Sequence, residues 1–407
     1  MPKTWTQTIL ALAIIGIGLL FMLVAGVHVY VTSTATPLHP NPDEVPSVTH
    51  WEPPREWTPS VEQGRKIARA ALIEQNLPGV SVAVGVGGEV VWAEGFGFAD
   101  LENHASVTPG TRFRIGTAST VLTSAAAGLL LEKKLLSLDD EIQVHVPEFP
   151  RKEWPVTLRQ LMAHTAGVRT DGGDEGPLFS QHCGRPVDAL PFFADRSLLF
   201  EPGTRYRYSS YGWILVSAAV ESAAGEPFLR FMQEQIFEPL GMDDTRADSM
   251  TEPIADRAMP YFPRYAADPK YGLHAMRPLD LSCYAGASVF LSTPSDLVRF
   301  GLAINEGKLL KPETVQLLQT PQHVSSGEET GYGLGWDIET LTFAGEQTRV
   351  AGHDGEVLGG MVASLLTFPE RRIAVAVMSN ISYADTFAIG SKVAEAFATE
   401  QRTDSSR

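Results

Sequence analysis

Three hydroxyl side chains, Thr117, Ser119 and Thr120, stand at the entrance to an apolar run in the stretch Phe113-Arg-Ile-Gly-Thr-Ala-Ser-Thr-Val-Leu-Thr-Ser-Ala-Ala-Ala-Gly-Leu-Leu-Leu-Glu132. Gly116 relieves the steric cost of a sharp turn, Thr117 or Ser119 can cap, and the residues that follow predict a buried helix. A hydroxyl on its first turn would lie where unpaired backbone N–H groups and the positive end of the helix dipole converge. That place stabilises an alkoxide or an oxyanion. Thr117 therefore has two readings: a helix cap, or a nucleophile whose β-methyl crowds its oxygen but leaves it competent when a base is near. Thr120 cannot accept a proton at neutral pH and can only relay or hydrogen-bond. Ser119, two residues from Thr117, points to a different side of the helix and is structural.

Other chemistries find less support. The ten histidines are scattered, with no His-x-x-x-His or Cys-x-x-Cys spacing, so neither a metal site nor a cofactor is expected. A net charge of −16 argues against nucleic acid as a partner. With 44% hydrophobic and 20% charged residues in 407, the chain is globular and can bury a large core, as one two-lobed domain or two ordinary ones.

Ile9 to Thr32 is uncharged, mostly apolar and long enough to cross a bilayer at 1.5 Å per residue. A secretory signal has a shorter apolar region, so this run reads as an uncleaved signal anchor, the alternative being a peptide cleaved near Ser33-Thr34-Ala35. Lys3 precedes it and Asp43 is the first charge after it, which puts residues 1–8 in the cytoplasm and the bulk of the chain in the periplasm or another extracytoplasmic space. Thr36 to Pro59, within a linker spanning 33–59, holds seven prolines and two tryptophans and reads as a semi-rigid spacer that keeps the domain off the membrane.

The folded part, 60–399, opens with a capping box at Ser60-Val-Glu-Gln63 and a helix ending at Pro78-Gly79. Gly87-Gly88 makes a hairpin of Val80–Val86 and Glu89–Phe98. Thr157 to His164 is a short capped helix, and further helices fit Tyr211–Ala224, Phe228–Phe237 and Thr293–Asn305. Strands fit Arg349–Gly352, Val357–Phe368 and Arg372–Met378, followed by a helix at Ala384–Ala398 and a disordered tail, 400–407. This order predicts an α+β fold: one antiparallel sheet built from both chain ends, flanked by helices, with a helical region inserted and a cleft between the lobes.

The segment Phe-Arg-Ile-Gly-x-x-Ser followed by an apolar helix resembles the region around the Ser-x-x-Lys motif of serine β-lactamases and penicillin-binding proteins. Thr117 stands where that family has its nucleophilic Ser, and Thr120 where it has its Lys. Pro78-Gly-Val-Ser-Val-Ala-Val84, His164-Thr-Ala-Gly167, Glu201-Pro-Gly-Thr204, Pro239-Leu-Gly-Met-Asp-Asp-Thr245 and Tyr332-Gly-Leu-Gly-Trp336 look like segments of the class C β-lactamase and esterase group. Val146-Pro-Glu-Phe-Pro150 is similar to the mitochondrial β-lactamase-like branch. The second motif falls on Tyr208-Ser209-Ser210 and the third on His353-Asp354-Gly355.

The resemblance implies a β-lactamase/transpeptidase-like fold and hydrolysis of a small-molecule or peptide ester or amide through an acyl-enzyme. It implies Tyr208 as general base beside Ser210, and an oxyanion hole from the N–H groups of Thr117 and Glu356. A phenol ionises near pH 10 in water, so such a base needs a cation or hydrogen bonds, and His353 is the titratable group the motifs place nearby. Gly355 lets the last strand approach closely, and His164 is a structural hydrogen-bonder. Without the family Lys, a non-catalytic binding protein is the alternative. Cys183 and Cys283, an even pair in an oxidising compartment, suggest one disulfide closing a loop of about a hundred residues, with two buried thiols as the alternative. By resemblance their segments flank the cleft.

Overall fold

A computed structural model describes every residue except 1, 170–177, 278, 344, 358–359 and 406–407. One antiparallel sheet carries the architecture. Its strands are β1 (Ser47–Thr49), β2 (Gly79–Val86), β3 (Glu89–Asp100), β4 (Asp337–Phe343), β5 (Glu346–Val357), β6 (Met361–Phe368) and β7 (Ile373–Ser379), in the order β1-β3-β2-β7-β6-β5-β4, with a two-residue strand, Ala105–Ser106, pairing off this path with β3. The two chain ends meet where β7 pairs with β2 from Ile373 opposite Val86 to Ser379 opposite Val80. Both are central strands covered on two faces, which is why their sequences, Gly-Val-Ser-Val-Ala-Val-Gly-Val and Ile-Ala-Val-Ala-Val-Met-Ser, are almost unbroken in small and β-branched residues. Gly87 and Gly88, at φ +62° and +98°, make the expected two-residue turn.

The principal helices are α1 (Pro2–Thr34), α2 (Thr58–Gln75), α3 (Ser119–Glu132), α4 (Leu158–Met162), α5 (Ser210–Ala224), α6 (Phe228–Met232), α7 (Pro294–Asn305) and α8 (Thr386–Ser405), with shorter ones at Ala285–Ser288 and Pro312–Leu318. α2 and α8 cover one sheet face, where Trp92, wholly buried, lies against Phe397 with ring centroids 6.2 Å apart. Burying such a side chain contributes about 2–3 kcal/mol. α7 covers the other face, and behind it α3 and α5 pack as the buried heart of the inserted helical region. α4 and α5 begin as their sequences dictate: Thr157 and Gln160 form a reciprocal capping box, and Ser209 caps α5, which Gly225 ends at φ +71°.

Several expectations are corrected. Ser60 makes no capping box, because α2 starts two residues earlier and the Ser60 hydroxyl instead donates to the Ala396 carbonyl of α8. Neither Thr117 nor Ser119 caps α3. The expected helix 228–237 is α6 followed by a wider π-type turn at Gln233–Phe237. Val357 ends β5 rather than opening β6, and 358–359 of that expected strand lie outside the described residues. α8 runs on to Ser405, through most of the stretch expected as a tail, of which 406–407 lie outside the described residues. β4 escapes a sequence reading because its Asp-Ile-Glu-Thr-Leu-Thr pattern is that of a polar sheet edge.

The segment after α1 is not a free spacer. β1 pairs with β3, the Leu38 N–H donates to Asn76 Oδ1 at 2.8 Å, and His39 stacks on Phe98 while its Nε2 meets the Leu77 and Pro78 carbonyls. Prolines exclude a long regular helix here, but they allow short 3₁₀ turns at Pro42–Glu44 and Arg55–Trp57 and leave extended backbone free to pair. α1 itself contains a stretch, Gln7–Thr34, long and apolar enough to cross a membrane.

Candidate active site

Thr117 sits on a single 3₁₀ turn, Gly116–Ala118, between the strand end Phe113–Arg114 and α3. Gly116 adopts φ +53°, and a Cβ there would come within 2.8 Å of the Glu356 carbonyl carbon and 3.0 Å of its nitrogen. From the other side, a Cβ on Gly355 would run into the Ile115 carbonyl oxygen and the Ala118 nitrogen. Two glycines thus let β5 and the Thr117 turn touch backbone to backbone. The motif glycine has the close approach expected of it.

β5 pairs with β4 only as far as Gly352, which leaves residues 353–357 with one open edge toward the turn. The Thr117 hydroxyl donates to the Asp354 carbonyl across that edge at 3.2 Å. Main-chain groups two residues apart on a strand point the same way, so the Glu356 N–H is directed to the same side, beside Thr117. The Thr117 turn and the open edge of β5 therefore lie directly against each other.

His353 is buried, 4% exposed, and its ring orientation is fixed by its partners. Nδ1 lies 2.6 Å from the Asp354 carbonyl, which only accepts, so Nδ1 carries the proton; Nε2 then accepts the Tyr332 hydroxyl at 3.0 Å. Burial, with Tyr208 nearby, holds the Tyr332 phenol well above its ordinary range, which keeps that donor protonated. Asp337 Oδ2 stands 3.8 Å from His353 Nδ1.

Tyr208 packs on His164 with ring centroids 4.0 Å apart and lies 6.1 Å from the His353 ring. Both nitrogens of His164 face N–H donors, Ser209 N at 3.0 Å and Trp213 Nε1 at 3.3 Å. A charged imidazole could accept from neither, whereas a neutral one accepts from one of them. Burial, with His353 nearby, accordingly pushes its pKa well below the ordinary histidine range. His164 is thus a neutral prop under Tyr208. Ser119 and Thr120 are wholly buried behind the turn; the Thr120 hydroxyl faces the Tyr332 phenol without a hydrogen bond of normal geometry.

Thr117 and Tyr208 border a cleft of about 490 Å³ together with Ser210, Asp354, Gly355 and Glu356, with Phe179, Tyr284 and Phe387 as aromatic walls; His353 and His164 are not among its lining residues. Asp385 joins Asp354 and Glu356 as a third carboxyl group, and no Lys or Arg lines the cleft among the described residues. Asp354 is open to solvent on the cleft side, yet the surrounding protein pushes its carboxyl up to about 6. Burial raises Glu356 as well. Cys183 and Cys283 are joined as a disulfide, Cα atoms 4.8 Å apart, beside the Phe179–Tyr284 stack, so the pair braces the cleft rim.

Sequence reasoning missed Tyr332, Asp337 and the Asp354 side chain. Tyr332-Gly-Leu-Gly-Trp336 was legible as a segment, but nothing local says that its first residue reaches His353, 21 positions on.

The family model described as Beta-lactamase matches residues 63–399. The serine beta-lactamase-like protein LACTB, mitochondrial, of Homo sapiens is 28% identical, over 81% of this chain and 77% of that one. Penicillin-binding protein 4* of Bacillus subtilis (strain 168) is 25% identical, over 74% and 67%. Among solved structures, the octameric penicillin-binding protein homologue from Pyrococcus abyssi superposes with a TM-score of 0.68 at 25% identity, covering 83% of this chain and 77% of that one. The D-amino acid amidase from Ochrobactrum anthropi SV3 reaches 0.70 at 23% identity, over 84% and 99%, a likeness of fold.

Proposed function

The chain belongs to the Beta-lactamase family, and on that footing we propose that it hydrolyses an ester or amide through an acyl-enzyme on Thr117. The observation that carries this reading is the position of the Thr117 hydroxyl, half-buried at a cleft wall where the α3 turn meets the open edge of β5. In acylation the Thr117 Oγ1 attacks the acyl carbon and its proton passes to the phenolate oxygen of Tyr208, which becomes the neutral phenol. The carbonyl oxygen becomes an oxyanion between the N–H groups of Thr117 and Glu356. Collapse expels the alcohol or amine, which takes the proton. Water then repeats the sequence at the acyl-enzyme, releasing the acid and restoring Thr117.

The electrostatics of the cleft set the substrate preference. Carboxylates without a lysine or arginine repel an anionic substrate and favour a neutral or cationic acyl group.

A second reading, a binding protein that retains the cleft without the chemistry, is favoured by one observation. The Thr117 proton is engaged by the Asp354 carbonyl rather than by a base, and Thr120 supplies no base. Turnover of neutral aryl esters by wild type, Thr117→Ala and Tyr208→Phe separates the two. Loss in both variants, without additivity, supports the hydrolase. Absence of turnover in the wild type, with ligand affinity unchanged in Thr117→Ala, supports the binding protein.

We place the enzyme on a membrane through α1, with the catalytic domain outside the cytoplasm. The contacts of Val31 and Thr34 with Arg264 support retention of the helix over cleavage near Ala35.

A further inference from the structure

We propose that the domain is seated directly on the bilayer, with the segment Arg264–Tyr271 in the layer of phosphate headgroups; this rests on the reading of α1 as an anchor. A hydrocarbon core of roughly 30 Å takes up about 20 helical residues. Counted from Ile9, the first residue of the apolar run, these end near His28. The last turns of α1 therefore lie at the outer interface, and it is there that the domain grips the helix.

Arg264 Nη2 donates to the Val31 carbonyl at 3.0 Å and to Thr34 Oγ1 at 2.7 Å, placing a cation on the last turn of α1, where the helix dipole favours it. The rings of His28 and Tyr271 stand edge to face, 6.0 Å apart, and Val31 is 7% exposed while its neighbours on the helix are open. A second clamp follows at once. Asn76, at φ +55°, accepts the Leu38 N–H and donates to the Pro269 carbonyl at 3.3 Å, tying the chain that leaves α1 to the same segment.

With both clamps closed, the depth of α1 fixes the depth of 264–271. Arg264 and Lys270 are exposed there, and Tyr265 and Tyr271 are half-buried with rings 5.8 Å apart. Cations and tyrosines are the side chains that suit the interface, the cations meeting phosphate and the phenols sitting at headgroup level.

The test uses the full chain in phosphatidylcholine vesicles containing phosphatidylglycerol. Both native cysteines are in the disulfide, so a nitroxide on Lys270→Cys, Ile17→Cys or Ser326→Cys reports one position each. The expected result is relaxation by lipid-dissolved oxygen at 17, by an aqueous nickel chelate at 326, and an intermediate, oxygen-shifted response at 270. Arg264→Gln should move the 270 response toward that of 326 while the protein stays in the membrane fraction. A label at 270 as water-exposed as that at 326, with 17 still in the lipid, overturns the seating alone. If 17 is also water-exposed, the anchor reading falls and the seating with it.

Discussion

The Thr117 hydroxyl and the Asp354 carbonyl, 237 residues apart in the chain, meet at 3.2 Å, and the same carbonyl accepts the ring N–H of His353. The contact holds the hydroxyl at the cleft without activating it. Installing the missing activation should therefore raise the rate. Thr117→Ser with Thr120→Lys removes the methyl crowding and adds a cation that favours the Tyr208 phenolate. We expect aryl-ester acylation to rise by at least tenfold, about 1.4 kcal/mol of transition-state stabilisation, in stopped-flow assays. An unchanged rate would mean that Tyr208 is not the base.

The close approach of β5 to the Thr117 turn predicts intolerance at Gly355. In Gly355→Ala the new methyl meets main-chain atoms of Ile115 and Ala118, which cannot swing aside. Overpacking of this kind costs about 1–3 kcal/mol, so thermal unfolding should shift down by several degrees. A variant as stable as the wild type would show that the strand and turn are free to separate.

Much of this frame was legible in the sequence. Gly87-Gly88 and the capped start of the helix at Thr157 act locally, and local chemistry is what a sequence displays. The motif order also named Thr117 and Tyr208, which line one cleft, and His353, which is buried outside its lining with its ring 6.1 Å from that of Tyr208. Contacts made at long range were not legible. Thr117 looked free to cap α3, but its hydroxyl is taken by Asp354; the prolines of 36–59 excluded a helix without saying that the strand Ser47–Thr49 would pair with β3; and Tyr332 gave no sign of its hydrogen bond to His353.

His164 predicts an acid limb in stability. The unfolded chain takes up a proton on this residue below about pH 6.5, while the folded protein, whose His164 pKa is depressed by burial, does not. The unfolded state then binds more protons, and stability falls as pH drops below 6.5. Between pH 7 and pH 5 the wild type should lose more stability than His164→Asn. Parallel pH dependences in urea unfolding would refute a neutral His164.

Asp354 predicts a pH dependence of binding. Its carboxyl, held up to about 6, is neutral below that pH and charged above it. The KM for an amine-bearing ester should fall as pH rises from 5 to 7, and Asp354→Asn should flatten the trend. A wild-type KM that does not change across this range would remove Asp354 from substrate recognition.

Peptide mapping after exposure to a fluorophosphonate tests the central claim most directly. If Thr117 is the nucleophile, the phosphonyl mass appears on that residue, stoichiometrically with loss of esterase activity, and is absent from Thr117→Ala. Esterase activity that survives in Thr117→Ala, or an adduct on Ser119 or Ser209 in its place, would contradict the assignment.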